Sequence, residues 1–286
     1  MNFIVLDTET TNSFDDPLVY DCGWSIINEQ NETLLTRSFV NADIFIDEPN
    51  LMKEAYFAEK IPMYFEDIAD NKRTLAHWNT IRKTLKKDCD NYNVVAIVAH
   101  NARFDYKACQ TTQRFLTKSK YRWFFPYGVY IWDSLKMAQQ TFAKDENYRA
   151  FCKENDYFIK GRPRLTAEIL YRYITGNNDF IESHTGLEDT QIEKDIFLAC
   201  LAMDKNINCN CWKDKAEEVT EMSPFLCPFF GRGVCARTNA KFSIIPPPAH
   251  FVKQKFKKNC TKINPKICAI LLIDFYKNFC YNLYIR

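Results

Sequence analysis

The chain has 286 residues, a formal net charge of +2, and 47% hydrophobic and 15% aromatic residues, enough for one large domain, or a domain with an appendage, and too apolar for a disordered polymer. Asp7 and Glu9 interrupt the apolar start before a secretory core forms, and no run of 18 uncharged apolar residues could span a membrane, so a soluble, cytoplasmic protein is expected. Twelve cysteines at irregular spacing read as reduced thiols, not a disulfide framework.

In chain order, Phe3-Ile4-Val5-Leu6 is a short buried strand, followed by strands over Cys22–Asn28 and Thr33–Val40, separated by Asn/Glu turn residues. These predict an antiparallel meander. Residues 43–90 are charged and helix-tolerant, with helical spacing over Ile81–Lys87. The continuous apolar run Val94–Ala99 predicts a central parallel strand. A helix is expected over Ala102–Leu116, a strand over Tyr127–Trp132, and helical segments over Ser134–Phe151 and Leu165–Thr175. From Gly186 to Lys205 the apolar positions Ile192, Ile196, Ala199 and others fit a helix with a buried face. Strands followed by alternating helices and strands define an α/β layer fold. After about residue 206 the character changes to Cys, Pro and Lys. Residues 241–286 carry +8, which leaves −6 on the first 240.

Three polar clusters fall at the ends of these elements. In a strand, positions i and i+2 share a face, so Asp7 and Glu9 can point at one ion. Two carboxylates held close are costly unless a cation sits between them, and a hard, oxygen-seeking cation such as Mg²⁺ fits. Taken alone, the pair also suits a solvated strand end. His100-Asn101-Ala102-Arg103-Phe104-Asp105 follows the best buried strand and opens a helix, where ligands gather in α/β folds, although an acid there also complements the helix dipole. Ser183-His184-Thr185-Gly186-Leu187-Glu188-Asp189 leads into the last helix, where Asp189 could equally cap it.

Together the clusters resemble the three motifs of the DEDDh 3′ to 5′ exonucleases, the family of the proofreading epsilon subunit and of phage-encoded relatives. Asp7-Thr8-Glu9-Thr10-Thr11 is similar to the first motif, His100–Asp105 to the second and His184–Asp189 to the third, in the family's order. The sister class ends in Tyr-x-x-x-Asp, and no Tyr here has an Asp four residues later. Asn12 departs from the pattern, which has Gly after the Thr-Thr pair.

The resemblance covers residues 1–205 and implies a ribonuclease-H-like mixed sheet flanked by helices, with 206–286 as a Cys- and Lys-rich extension. It implies that Asp7, Glu9, Asp105 and Asp189 hold two Mg²⁺ ions, with Mn²⁺ as a substitute, about 3.5–4 Å apart. His184 then serves as general base, because imidazole titrates near neutral pH. Thr8, Thr10, Asn101 and Phe104 would contact the terminal nucleotide. The implied activity is hydrolysis at nucleic-acid 3′ ends, with single-stranded DNA favoured and proofreading beside a polymerase or other replication protein in trans. The alternatives are an exoribonuclease or a non-catalytic nucleic-acid- or partner-binding module. His100 is given a structural role beside Asp105. Asp133 and the Asp15-Asp16 pair have no counterpart in the motifs. Cys209, Cys211, Cys227 and Cys235 are spaced poorly for zinc, and Lys253–Lys266 reads as a solvated basic tail.

Overall fold

In the computed structural model, the described residues are 1–11, 16–119, 122–204, 207–209 and 212–213. The expectations for Asn12, Asp15, Cys211, Cys227, Cys235 and the basic tail lie outside them. The chain opens with β1 (Asn2–Thr10), β2 (Val19–Asn28) and β3 (Thr33–Asn41), each antiparallel to the one before. The charged segment that follows breaks into α1 (Ala42–Phe45), α2 (Pro49–Lys53), a 3-10 turn at Ala58–Lys60, α3 (Ile61–Ala69), the three-residue β4 (Thr74–Ala76) and α4 (Trp78–Asn91). Then come β5 (Val94–Ala99), α5 (Ala102–Thr117) and β6 (Tyr130–Asp133).

The helix expected over Ser134–Phe151 is divided. α6 (Ser134–Gln140) stops at Thr141, whose φ −105°, ψ −86° is not helical, and a 3-10 turn leads to α7 (Glu146–Glu154). Asp145 starts α7 by accepting the Tyr148 N–H at 2.7 Å, a side-chain cap strong enough to define a new helix. A hairpin of β7 (Phe158–Ile159) and β8 (Arg162–Pro163), α8 (Ala167–Thr175), α9 (Gly186–Met203) and β9 (Trp212–Lys213) complete the described chain. Among the described residues no helix is long and apolar enough to cross a membrane.

The main sheet runs β4-β3-β2-β1-β5-β6-β9. β5 lies parallel to β1, and β6 parallel to β5, so their carboxyl ends share one sheet edge. Three antiparallel strands joined to parallel ones in this order make the ribonuclease-H-like arrangement. All four residues Phe3–Leu6 are buried because β1 is covered on both faces. Phe3 and Val5 face a core with Ile192, Ile196 and Phe197 of α9 and residues of α6, α7 and α8. Ile4 and Leu6 face Ile81 and Leu85 of α4 and Ala108 of α5. Ile207 and Cys209 are buried in the first core, and β9 pairs with β6, so packing continues past residue 205.

α9 is seated on β2 with no side chain between. A Cβ on Gly23 would lie 2.3 Å from the Gly186 carbonyl carbon, and one on Gly186 would lie 2.8 Å from the Gly23 nitrogen. Beside them, buried Asp21 accepts the Gly186 N–H at 2.9 Å, the Tyr64 hydroxyl at 2.7 Å and Arg73 Nη1 at 3.3 Å. Arg73, itself buried, reaches on to Asp67 at 3.0 Å and to Glu188 in the first turn of α9 at 2.8 Å. The guanidinium thus rivets the start of α9 to the sheet. Gly23→Ala is expected to cost about 1–3 kcal/mol, read as a lower melting temperature with α9 displaced. If the variant melted with the wild type, the backbone contact would not be what seats this helix.

Candidate active site

The site forms where β1 and β5 end and α5 and α9 begin. Side chains alternate along β1, so Asp7 and Glu9 point with Phe3 and Val5 toward α9, while Thr8 points with Ile4 and Leu6 toward α5. Ligand atoms of Glu9, His184 and Asp189 come within 4.8 Å of one another. Burial first, then the charges of Glu193, Asp105, Glu9 and Asp189 around it, raise the Asp7 carboxyl well above the ordinary 3.8. Its Oδ2 is shut off from solvent and has no hydrogen-bond partner among the described residues.

The neighbouring acids are strained in the same direction. Burial, with Asp21 and Asp189 adding to it and Lys60 opposing, pushes Glu9 up to about 9. Burial carries Asp105 to about 7 against the hydrogen bond from Thr8, and Asp189 to about 6 against those from Ser183 and Thr185. A buried cluster of carboxyls, one oxygen of it unpartnered, is what a hard divalent cation stabilises. The carboxylate oxygens of the set fit a hard divalent cation.

Each acid is held by local chemistry. Asp105 lies in the first turn of α5, and its Oδ1 accepts the Thr8 hydroxyl at 2.8 Å. Thr8, expected to meet the nucleotide, is buried and its hydroxyl is spent on this bond, so it orients an acid. Asp189 accepts the Ser183 hydroxyl at 2.8 Å and the Thr185 N–H at 3.2 Å; it caps α9 while its carboxylate faces the cluster. Asn101 precedes α5 in the left-handed region, φ 69°, with no side-chain cap bond, and lines the cavity in front of Asp7. Phe104 is 38% exposed, available to a ligand. Thr10 sits at the register shift that ends β1, and Thr11 closes the turn with Leu18.

His184 occupies the left-handed region, φ 49°, which is uncommon for a residue with a side chain. Its ring stacks on Phe57 with centroids 4.5 Å apart, and it has no hydrogen-bond partner among the described residues. Lys60 donates to the carbonyls of Ser183 and His184 and lies 4.4 Å over the Phe57 ring. Burial first, then Lys60, lowers the imidazole's pKa, which keeps it neutral and able to accept a proton. His100 is committed elsewhere. Its Nε2–H donates to the Leu165 carbonyl at 2.7 Å, and its Nδ1 lies 3.0 Å from the Ser134 hydroxyl. It ties β5 to the α8 approach and makes none of its ring bonds with Asp105. Asp133 caps α6, accepting from Leu135 and Lys136.

Sequence reasoning missed Glu193. It is buried, one turn beyond Asp189 on α9, and accepts the His100 N–H at 3.1 Å. Burial and the charge of Asp105 raise its pKa. The available signal was spacing, because two acids four apart share a helix face.

No protein-family model and no curated protein matches the sequence. Among solved structures, the chain is similar to the nuclease domain of 3'hExo, a DEDDh family member, bound to rAMP, at 12% identity over 70% of this chain and 92% of that one, TM-score 0.46. It is also similar to a full-length 3'-exonuclease, at 12% identity over 78% and 93%, TM-score 0.49. A third is E. coli Exonuclease I in complex with an oligonucleotide, at 14% identity over 70% and 40%, TM-score 0.36. The first of these neighbours is a nuclease domain of a DEDDh family member, and the other two are exonucleases.

Proposed function

We propose that the chain is a metal-dependent 3′ to 5′ exonuclease of the DEDDh kind that removes nucleotides from the 3′ end of a DNA strand. One observation carries the reading: the partnerless, buried Asp7 Oδ2 in the midst of four further carboxylates. Asp7, Glu9, Asp105 and Asp189 would hold the divalent cations, which when bound favour ionisation of a water and offset charge on the phosphorus. His184, neutral and unbonded at its ring, takes the proton of the attacking water. The new P–O bond forms as the bond from phosphorus to the 3′ oxygen breaks, releasing a nucleoside 5′-monophosphate. Phe57 and Lys60 hold the His184 backbone and ring in place, Thr8 orients Asp105, and Ser183 orients Asp189. Asn101, Phe104 and Thr10 are the surface on which the terminal nucleotide rests.

The activity belongs to residues 1–205 with the strand pairing that follows them; proofreading beside a polymerase in trans is the role that suits it. Cys22, Cys89, Cys109, Cys152 and Cys200 are buried free thiols, which suits a reducing, cytoplasmic setting. The test is to incubate the full chain with Mg²⁺ or Mn²⁺ and 5′-labelled single-stranded DNA, single-stranded RNA and primed duplex. A ladder shortening from the 3′ end, fastest on DNA, is expected; no shortening with either metal would leave a binding module on this fold. His184→Ala is expected to lower the rate by about 10²–10⁴-fold and to flatten the acid limb of the pH–rate curve. If the variant kept its full rate, another group would be the base.

A further inference from the structure

The acid cluster opens into a cavity of about 1070 Å³, larger than a single small-molecule site needs. Its charges are segregated. Asp7, Glu182 and Glu193 line it at the cluster, while Arg149, Arg162 and Arg164 line it on the side of the β7–β8 hairpin. None of these three arginines has a carboxylate partner among the described residues. Elsewhere Arg37 pairs with Asp88, Arg73 with Asp21, and Arg172 with Glu168. Among the described residues the Arg149 guanidinium donates only to the Ala143 carbonyl at 3.2 Å and lies 5.6 Å over the Phe158 ring, and all three arginines are exposed.

The hairpin that carries two of them is well fixed. Lys160 and Gly161, φ 50° and 76°, form its two-residue turn, of the type that matches strand twist. The Arg164 N–H donates to the Tyr157 carbonyl at 2.8 Å, the Tyr148 hydroxyl bonds the Arg164 carbonyl, and Arg172 holds the Tyr157 hydroxyl at 2.7 Å. Arg162 and Arg164, two apart in extended chain, have their Cα atoms about 7 Å apart and both line the cavity, a spacing that successive phosphates of one strand can match. Exposed arginines without carboxylate counter-ions, lining one cavity, are the donors that planar phosphate recognition uses.

We infer that this cavity is the track of a single nucleic-acid strand, with Arg149, Arg162 and Arg164 holding phosphates upstream of the 3′ end that Asp7 faces. The assignment rests on the exonuclease reading and adds to it a strand path with its own residues. Because the contacts go to phosphates, DNA and RNA single strands are both held, and the choice between them is made at the terminal nucleotide.

Binding is measured by fluorescence anisotropy in the Asp7→Asn background with Mg²⁺, using short single strands of DNA and of RNA and a blunt DNA duplex over a salt series. R162E/R164E is expected to weaken both single strands at least tenfold at low salt and to flatten the slope of log affinity against log salt by about 1.4, two phosphate contacts' worth. Lys83→Glu with Lys86→Glu, the same charge change on the exposed face of α4 across the sheet, is the matched control and should stay within twofold of its parent. Arg149→Gln, on a helix and not the hairpin, should weaken binding severalfold, which keeps the test open if the double variant misfolds. If the hairpin variant and Arg149→Gln bind like the control, the track is overturned while the exonuclease reading stands. A duplex held as tightly as the single strands, and weakened equally, overturns the single-strand assignment. If the wild type neither shortens nor binds any of the three, the exonuclease reading falls and the track with it.

Discussion

Asp7→Asn should lower strand hydrolysis about 10³-fold or more and, in the same protein, raise the melting temperature of the metal-free chain at pH 8. The loss follows from the site: a cation ligand contributes several kcal/mol to the transition state, and each 1.36 kcal/mol is tenfold in rate. The gain follows from the same crowding. Burial and the charges of Glu193, Asp105, Glu9 and Asp189 all oppose ionisation of Asp7, and a neutral amide of equal size removes that repulsion. A shift of a few degrees is expected for a domain of this size. Gel assays with 5′-labelled strands and calorimetry in EDTA measure the two arms. A variant that loses both rate and stability would make Asp7 a structural residue, and one that keeps its rate would remove it from the mechanism. Function held at the expense of stability is common at sites of this kind.

The second large effect is a dependence of stability on pH that a divalent cation reverses. Glu9 titrates at about 9, Asp105 at about 7 and Asp189 at about 6 in the folded chain, against ordinary values of 4.5 for Glu9 and 3.8 for the two aspartates. Between those values the folded protein keeps protons that the unfolded chain releases. The metal-free protein is therefore most stable below about pH 4 as far as these groups are concerned, and loses stability as pH climbs toward 9. The slope is about 1.4 kcal/mol per pH unit for each carboxyl still protonated in the fold. Mg²⁺ or Mn²⁺ takes the place of the protons, so its stabilising effect grows with pH. Thermal unfolding from pH 5 to 9, in EDTA and in excess cation, checks this. A metal-free melting temperature that does not fall with pH would mean that the carboxyls are not crowded as described.

Much of this was legible along the chain. Phe3–Leu6 and Val94–Ala99 announce buried strands because both of their faces are covered, and the acids just beyond them mark the sheet edge where those strands end. The helix break at Thr141 was not legible, because apolar spacing runs on through it and the stop is made by backbone angles and the Asp145 cap. Three-residue β4 and the two-residue strands of the hairpin are too short to carry a period. Thr8 reads as a nucleotide contact from the family resemblance; only the pleat shows that its hydroxyl turns toward Asp105. The Asp21–Arg73–Glu188 rivet joins residues 52 and 115 positions apart, and no local pattern announces such a pairing. Glu193 could have been found, but a single acid on a helix usually points to water, and its burial is a tertiary fact.

The seating of α9 on β2 also sets an order of events. The first 185 residues contain Asp7, Glu9 and Asp105 but lack the fourth acid, and the glycine contact and the Arg73 rivet can close only when α9 arrives. Contacts so distant along the chain form late, since loop closure must precede them. A growing or partly folded chain therefore holds an open, half-built cage. On the exonuclease reading, cation binding would become a timestamp for completed folding, and in a refolding experiment the ion's uptake should trail the recovery of helical signal.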